Sequence, residues 1–489
     1  MMTSAVLLTQ LAVGTATQLA SPLATAFGVQ FSVPGLALTT SADGIRGVTA
    51  AAAVKRGEAL LSIPFASCLN VPRGPDDDVE LSTALLKATA DGDSPWSAYR
   101  TTLLPEATGA AFTWAVDEIE RLQLEEAREQ ASALRDRCED AFADYDQLDD
   151  TVRALGLEEW KWAVSMVYSR SFTIDDGSGP RRVLAPFLDL FNHQPESPAE
   201  YAAAADAWEA DGYDEPPSPW RLNLGDDDHH GESCRLWLHA DHDAPSGAEL
   251  RLPYGIETSA ELLATSGFVP AQGNSAEYIP LYTDVIELIG TCAYAIGMAE
   301  PAQKARLSIL SELEAAEAPL GVRPGGRGAC AHVINCVRLV VASEDELSEF
   351  EEQYDETLGH YTIVLAAAAK ADSAATELTP RRHEVLDARA AYLCAQAAGA
   401  TLDELPTSLE DDLTALAAFD AEVGAADGSD ASVRARAACA LRYRIGAKQL
   451  LTSFAESCDE VVAAAEEAYG TLGDEQGAPW PPERAPGAA

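Results

Sequence analysis

The stretch LAPFLDLFNHQPE, residues 184–196, places polar side chains at the end of an apolar run. Asp189, Asn192 and His193 interrupt residues that would otherwise pack as a buried strand or close turn. A buried carboxylate, amide or imidazole costs free energy unless a hydrogen-bond partner satisfies it. We therefore predict that these three side chains face either protein partners or a bound ligand. An amide both donates and accepts, as recognition of an amino acid's ammonium and carboxylate requires.

Two further positions could take part in catalysis or ligand binding, one through its side chain and one through its backbone. Tyr254, in RLPYGIE, follows a strand-like segment and is either a core tyrosine with a satisfied hydroxyl or a phenol that orients a nucleophile. Gly47, in DGIRG, permits a tight turn whose backbone can approach a ligand closely. Taken alone, such a turn is more often only a turn.

These candidates stand between strand-like and helical segments. Alternating apolar residues predict strands around 45–70, 183–191, 234–239 and 249–253. Helical periodicity predicts helices across 95–170 and from about residue 283 onward, where alanine is abundant. The strands would therefore form a core that the first helical segment interrupts.

Four separated pieces then occur in a characteristic order: DGIRGVTAAAAVKRGEALLSIP, WKWAVSMVYSRSF, LAPFLDLFNHQPE and GAELRLPYGIETSAELLATSGFVP. In this order and spacing the chain resembles the SET-domain methyltransferases. The most similar branch includes the Rubisco large-subunit lysine methyltransferase and the actin-histidine methyltransferase. The resemblance covers roughly residues 35–275 and continues more weakly in ALRYRIGAKQLL.

The resemblance implies an α+β fold. It would consist of a SET-domain β-core of small sheets with knot-like threading, an inserted helical subdomain and an all-α C-terminal substrate-binding bundle. The implied boundaries are an N-terminal segment at 1–34, the SET domain at 35–282 with its helical insertion at about 95–170, the helical substrate-binding domain at 283–472, and a disordered tail at 473–489.

The resemblance also implies S-adenosylmethionine (AdoMet) as cofactor and a role for each candidate residue. Tyr254 would be catalytic, aligning the nucleophile with the methyl group. The cofactor-binding residues would be Ile45, Arg46, Gly47, Arg170, Asp189, Asn192, His193 and Phe268. For Asp189, Arg170 and Phe268 the alternatives from the residues alone are a local cap, a surface ion pair and plain core packing, respectively.

Ser266 departs from the pattern of the lysine-specific members, which usually have tyrosine just before the glycine of their Tyr-Gly-Phe motif. A serine also occupies this place in the histidine-methylating relative, so we assign Ser266 to substrate binding and keep both acceptors open. The resemblance implies an AdoMet-dependent protein N-methyltransferase, and we expect its acceptor to be a lysine side chain of a non-histone protein. The alternatives are a protein-histidine methyltransferase and a non-catalytic SET-like adaptor that binds partners through its helices.

The chain is strongly acidic. It has 33 Lys and Arg against 79 Asp and Glu, a formal net charge of −46. Such a charge disfavours binding to nucleic acid and to anionic lipid, and no apolar run is long enough to span a bilayer. We therefore expect a protein substrate docked on the C-terminal helices, and a monomeric enzyme. A basic patch could contact an acidic partner or pair with acids on its own helices; it comprises Arg434, Arg436, Arg442, Arg444 and Lys448.

The compartment stays open. Nine dispersed cysteines without a Cys-x-x-Cys pair fit reduced thiols inside a cell. The segment before Phe27 ends in Ala24-Thr25-Ala26, so it is either a plastid-type leader or an ordinary helix packed on the first domain. A leader would direct the protein to a plastid. An ordinary helix would leave it in the cytoplasm or nucleus.

A polar cluster at 226–243 could suggest a metal hydrolase. It includes Asp226, Asp227, Asp228, His229, His230, His239, His242 and Asp243. The cluster has no ligand spacing of the His-Glu-x-x-His type, and part of it lies in the predicted hairpin before Tyr254. We therefore predict a polar loop and solvent-facing strand residues, with no metal site.

Overall fold

The protein is described by a computed structural model of the 489-residue chain. The residues described are 17–40, 45–105, 109–145, 148, 150–194, 220–223, 234–240, 242–255, 257–271, 273–313, 317–326, 330–344, 346–347, 350–355, 360–365, 380–421, 429–470, 472 and 480. Gly44, residues 226–230 and nearly all of the predicted tail lie outside this set. None of the helices in the described part is both long and apolar enough to cross a bilayer.

Short strands and longer helices alternate along the first half of the chain, and helices dominate the second half. The strands are β1 Thr17–Gln18, β2 Gln30–Phe31, β3 Ala37–Thr40, β4 Arg46–Thr49, β5 Ala59–Pro64, β6 Leu69–Pro72, β7 Phe172–Asp175, β8 Pro180–Leu184, β9 Asn192–His193, β10 Trp220–Asn223, β11 Arg235–His239, β12 Glu249–Leu252, β13 Ile279–Pro280, β14 Gly321–Val322, β15 Phe350–Asp355 and β16 His360–Leu365. The helices are α1 Pro22–Ala26, α2 Asp77–Ala90, α3 Pro95–Thr102, α4 Val116–Glu120, α5 Glu125–Asp144, α6 Asp150–Arg153, α7 Leu157–Arg170, α8 Ser259–Ser266, α9 Val285–Ile296, α10 Glu300–Ser311, α11 Ala331–Val341, α12 Pro380–Glu404, α13 Leu409–Ala421 and α14 Ser429–Tyr469.

Three small sheets form the β-core. Their strand orders are β1-β3-β4-β12-β9, β10-β11-β5-β2 and β6-β8-β7. In the first sheet β9 runs parallel to β12, with Asn192 opposite Arg251 and His193 opposite Leu252. Because Tyr254 follows Leu252 by two residues, this register places the end of β9 beside the tyrosine.

The N-terminal residues from 17 onward belong to the first hydrophobic core. Phe27, directly after α1, is buried against Trp96 and Tyr99, with ring centroids 5.5 and 5.6 Å away. Apolar aromatic rings meeting edge to face contribute both buried area and favourable geometry. The described part of this segment is therefore packed on the β-core, and the leader stays a prediction because residues 1–16 lie outside the described range.

A second hydrophobic core joins the helical insertion to the C-terminal half. It includes Trp114 and Leu122 from the α4 region, Leu263 from α8, and Leu451 and Phe454 from α14. One local difference from the expected all-helical C-terminal half is the antiparallel hairpin of β15 and β16. Its second strand, HYTIVL, is rich in aromatic and β-branched residues, which favour a strand inside this alanine-rich region.

The predicted basic patch lies largely against acids of the same chain. Arg436 pairs with Glu118 at 2.9 Å, so α14 contacts α4. Arg444 and Lys448 both pair with Asp412 of α13, at 2.5 and 2.7 Å. Lys448 is 1% exposed. These three cations therefore pair with acids of the same chain, which is one of the two possibilities that the sequence left open.

Candidate active site

Asn192 is held at the junction of three strands. Its Nδ2 donates to the Arg46 carbonyl at 2.6 Å and to Glu249 Oε1 at 2.7 Å. These two bonds engage both amide protons, and no described residue donates to Oδ1. The acceptor of the amide is thus available to a ligand's N–H group.

Gly47 is required where Glu249 and Asn192 approach β4. A Cβ built on Gly47 would lie 2.2 Å from Glu249 Oε1 and 3.1 Å from Asn192 Nδ2. Real Cβ atoms do not tolerate the shorter separation, so any side chain at residue 47 must displace the Glu249 carboxylate. The glycine therefore allows the hydrogen bonds that orient Asn192.

Gly47→Ala is expected to lower the free energy of unfolding by about 1–3 kcal/mol through overpacking. It should also weaken ligand binding at Asn192, because displaced Glu249 no longer fixes the amide. Urea denaturation and calorimetric titration with AdoMet would measure the two effects. Gly290→Ala on α9 is the matched control, since nothing lies within 4 Å of its added Cβ. Equal effects of the two substitutions would contradict the role given to Gly47.

His193, Tyr254 and Phe268 form a group of three aromatic side chains. The His193 ring centroid lies 5.1 Å from that of Tyr254 and 5.9 Å from that of Phe268. The backbone N–H of Tyr254 donates to His193 Nδ1 at 3.2 Å, so the neutral ring carries its proton on Nε2. The Tyr254 hydroxyl donates to the Phe191 carbonyl at 2.8 Å. Tyr254 is 37% exposed as a residue, while its hydroxyl points inward to this carbonyl.

Burial keeps both titratable members of this group uncharged. Burial, followed by the nearby Arg251 charge, lowers the pKa of His193 to about 4. Burial of its hydroxyl raises the pKa of Tyr254 to about 12, although Arg170 acts in the opposite direction. At neutral pH the site therefore presents a neutral imidazole and a protonated phenol.

The His193 shift predicts a loss of stability in mild acid. The unfolded chain binds a proton near pH 6.5, whereas the folded protein does so only near pH 4. Stability from this residue is therefore complete above pH 6.5 and falls as the pH drops toward 4. Between pH 7.5 and 5 the loss should be about 2 kcal/mol. Urea denaturation at both pH values, for the wild type and His193→Gln, measures this loss of folding free energy. An equal pH dependence in both proteins would contradict the lowered pKa given to His193.

Arg170 and Asp189 form a buried polar pair beside the aromatic group. Arg170 donates to the Asp189 carbonyl at 2.8 Å and to its Oδ2 at 3.3 Å. The Tyr99 hydroxyl donates to the other carboxylate oxygen of Asp189. Burial raises the pKa of Asp189, although Arg170 favours the charged form.

Two cationic donors near this pair lack protein partners. Arg170 Nε is buried and has no hydrogen-bond partner. The Arg46 guanidinium forms no hydrogen bond or ion pair with the described residues, and burial followed by the charge of Arg170 lowers its pKa. Asp189 pairs with Arg170 and is within electrostatic range of the Arg46 guanidinium. This surplus of positive charge and open donors suits a carboxylate ligand.

The structure brings together most of the residues that the sequence singled out. Arg46, Gly47, Asn192, His193, Tyr254 and Phe268 are linked by the contacts above, and Arg170 with Asp189 lies within electrostatic range of Tyr254. Ser266 ends α8 two residues before Phe268, and its hydroxyl lies 3.4 Å from that of Thr265. The Ile45 side chain is 62% exposed, so only its backbone could take part in an enclosed site.

Sequence reasoning missed two residues that position the site. Glu249 fixes Asn192, and Tyr99 holds Asp189. A signal for Glu249 existed, because it alternates with buried leucines in ELRL beside a predicted strand. Tyr99 lies on α3 and gave no comparable signal.

The described part of the 226–243 cluster does not converge on a metal. Asp243 pairs instead with Lys55 at 2.7 Å and accepts from the Arg56 N–H at 2.9 Å. Among the described residues, no group of three or more His, Cys, Asp or Glu side chains could hold a metal ion. Residues 226–230 are outside the described ranges.

Known proteins share this architecture. Residues 299–451 match the family described as Rubisco LSMT substrate-binding. Among solved structures, the SET domain of LSMT bound to lysine and AdoHcy has a TM-score of 0.57 at 17% identity, covering 94% of this chain and 94% of that chain. Rubisco LSMT bound to AdoMet has a TM-score of 0.55 at 17% identity, covering 91% of this chain and 94% of that chain. A search of curated proteins finds no match.

The chain therefore has the α+β SET-domain fold that the sequence predicted. Within its C-terminal half, residues 299–451 match the Rubisco LSMT substrate-binding family. The predicted resemblance to the Rubisco LSMT branch of SET-domain proteins is confirmed.

Proposed function

We propose that the chain is an AdoMet-dependent protein N-methyltransferase that modifies a lysine side chain of a non-histone protein. The observation that supports this most is the meeting of Asn192, His193 and Tyr254, with His193 in contact with the tyrosine through both its ring and its Nδ1 atom. The structural neighbours hold AdoMet or AdoHcy, which agrees with the predicted cofactor.

The site residues fit the amino-acid end of AdoMet. Arg46 and Arg170 have donors without protein partners and would bind its carboxylate. Asn192 Oδ1 would accept from its ammonium group. Neutral His193 and the Phe268 ring would flank the rest of the molecule, and an uncharged imidazole avoids repulsion by the cationic sulfur. Asp189 would act through Arg170, and the Ile45–Gly47 turn would supply backbone contacts.

In methyl transfer the protein must align the acceptor nitrogen with the methyl group and stabilise the charge of the transition state. AdoMet supplies an electrophilic methyl group; the acceptor nitrogen forms a bond to its carbon as the carbon–sulfur bond breaks and the electron pair moves to sulfur. Tyr254 stays protonated at neutral pH, because burial raises its pKa to about 12, and its O–H donates a hydrogen bond to the Phe191 carbonyl. The lone pairs of the phenol remain free to orient the acceptor nitrogen and the polarised methyl group. A neutral amine is the reactive form, and an apolar channel favours it.

Histidine is the second candidate acceptor, and Ser266 is the feature that favours it. A serine at this position leaves more room at the end of α8 than a tyrosine and removes one phenol from the acceptor's surroundings. Lysine remains the primary proposal, since SRSF resembles the lysine-type members. The C-terminal helices would dock the protein substrate, and the net charge of −46 favours a protein partner over nucleic acid or an anionic membrane.

Mass spectrometry of a host lysate incubated with the full chain and isotopically labelled AdoMet tests the proposal. New label on lysine of a protein is the expected result, and label on histidine would select the second candidate. Calorimetry with AdoMet separates an enzyme from a SET-like adaptor, because the adaptor would give no binding heat from folded protein. Equal labelling by the Tyr254→Phe variant would refute the role of this tyrosine.

A further inference from the structure

Four carboxylates, each within electrostatic range of at least one other, lie where the helical insertion, α8 and α14 pack together. Glu126 lies on α5, Glu257 follows Tyr254 by three residues, Glu261 is in the first turn of α8, and Glu277 is buried before β13. Glu261 accepts from Thr258 N–H at 2.7 Å. We call these four residues the acidic cluster.

The acidic cluster lacks a cation. Among the described residues, no lysine or arginine forms an ion pair with any of its four members, in contrast to Glu118 and Asp412 nearby. Burial, followed by mutual repulsion with Glu277, raises the pKa of Glu126 to about 7. Burial and the charge of Glu261 raise the pKa of Glu257 to about 7 as well.

Three buried polar atoms at this junction have no hydrogen-bond partner among the described residues: Tyr443 Oη, Glu126 Oε2 and Gln130 Oε1. Tyr443, on α14, is 1% exposed and lies within electrostatic range of Glu126 and Glu277. Glu126 and Gln130 share one face of α5, and Gln130 Nε2 donates to Glu126 Oε1 at 3.3 Å. Gln130 Oε1 and the ionised Glu126 Oε2 can only accept, and the Tyr443 hydroxyl can accept as well as donate, so one donor group could satisfy all three.

The arrangement fits a long cationic side chain better than a metal ion. A divalent cation needs several oxygens at about 2.0–2.6 Å from one point. No group of three or more potential ligands among the described residues offers that convergence. A guanidinium or ammonium group has several donors and can reach acceptors that are spread apart.

The cluster adjoins two parts of the chain that the proposed function uses. Glu257 is near enough to Tyr254 to raise the pKa of the phenol. Tyr443 falls within residues 299–451, the part that matches the Rubisco LSMT substrate-binding family. The cluster thus connects the proposed catalytic tyrosine with the proposed docking region.

We propose that the acidic cluster binds the side chain of a lysine or arginine that flanks the target residue in the substrate protein. This inference rests on the proposed function and adds a sequence preference to it. Entry of the cation would neutralise the carboxylates and supply donors to Tyr443, Glu126 and Gln130. Substrates with a basic flanking residue would then be preferred over neutral ones.

Binding of fluorescein-labelled nonapeptides to the full chain in the presence of AdoHcy tests this preference. Each peptide has a central lysine and one arginine within three positions of it, and a matched peptide has glutamine in place of the arginine. Fluorescence anisotropy should show about tenfold tighter binding for at least one arginine peptide than for its match. The Glu126→Gln/Glu277→Gln variant should lose this difference, and Tyr443→Phe should reduce it.

Glu125→Gln is the matched control, since Glu125 is an exposed acid on the same helix and should leave the preference unchanged. No preference in any peptide pair, or a preference that the double variant retains, would overturn the inference. Calorimetry with AdoHcy tests the proposed function separately. An arginine preference without AdoHcy binding would count against the methyltransferase and not against the cluster.

Discussion

Asp412→Ala is expected to lower the free energy of unfolding by about 3–5 kcal/mol. Asp412 accepts from Arg444 and from Lys448, and the side chains of Asp412 and Lys448 are both 1% exposed. Removing the carboxylate leaves two buried cations without a counter-charge, and that costs far more than losing one surface ion pair. Urea denaturation followed by circular dichroism would measure the loss.

Two further variants test whether the loss of stability comes from the unpaired buried cations or from any substitution at this junction. Glu410→Ala removes an exposed acid from the same first turn and should change stability by less than about 1 kcal/mol. Lys448→Met should cost less than Asp412→Ala, because Asp412 keeps its bonds to Arg444. A Glu410→Ala effect as large as that of Asp412→Ala would show that the pairing is not what stabilises this junction.

This network also shows where sequence reasoning ends. The basic patch was visible in the sequence, but its partner Asp412 lies 36 residues before Lys448. The network also includes the Thr407 carbonyl and the Gln123 side chain, at 2.6 and 3.3 Å from Lys448 Nζ. Residues so far apart in sequence meet only through packing of α14 on α13 and on the insertion, which helical periodicity does not determine.

The candidate site residues were more predictable than the residues that hold them in place. Asn192, His193 and Tyr254 could be found because polar groups at the end of apolar runs are costly without a function. Their proximity depends on the parallel pairing of β9 with β12, which no local pattern predicts. Before the structure, only the family resemblance placed the three residues at one site. Glu249 escaped notice because an acid in a strand is usually solvent-facing.

Tyr254→Phe is expected to lower kcat for methyl transfer by about 10²–10³-fold while changing AdoMet affinity little. Phenylalanine keeps the ring contacts with His193 and Phe268, so the aromatic group remains packed. Only the hydroxyl is lost, together with its hydrogen bond to the Phe191 carbonyl. Turnover with a labelled methyl donor and calorimetry with AdoMet measure the two quantities separately.

The stability of the same variant distinguishes catalysis from packing. Loss of one neutral hydrogen bond should cost about 1 kcal/mol of folding free energy, which is too little to unfold the site at room temperature. A fall in kcat at nearly constant stability therefore requires the phenol to act on the reacting atoms. Tyr294→Phe, at an exposed position of α9, controls for removal of a tyrosine hydroxyl elsewhere. If Tyr254→Phe instead lost stability and kept its turnover, Tyr254 would be a core tyrosine, and the methyl group would have to be aligned by other residues.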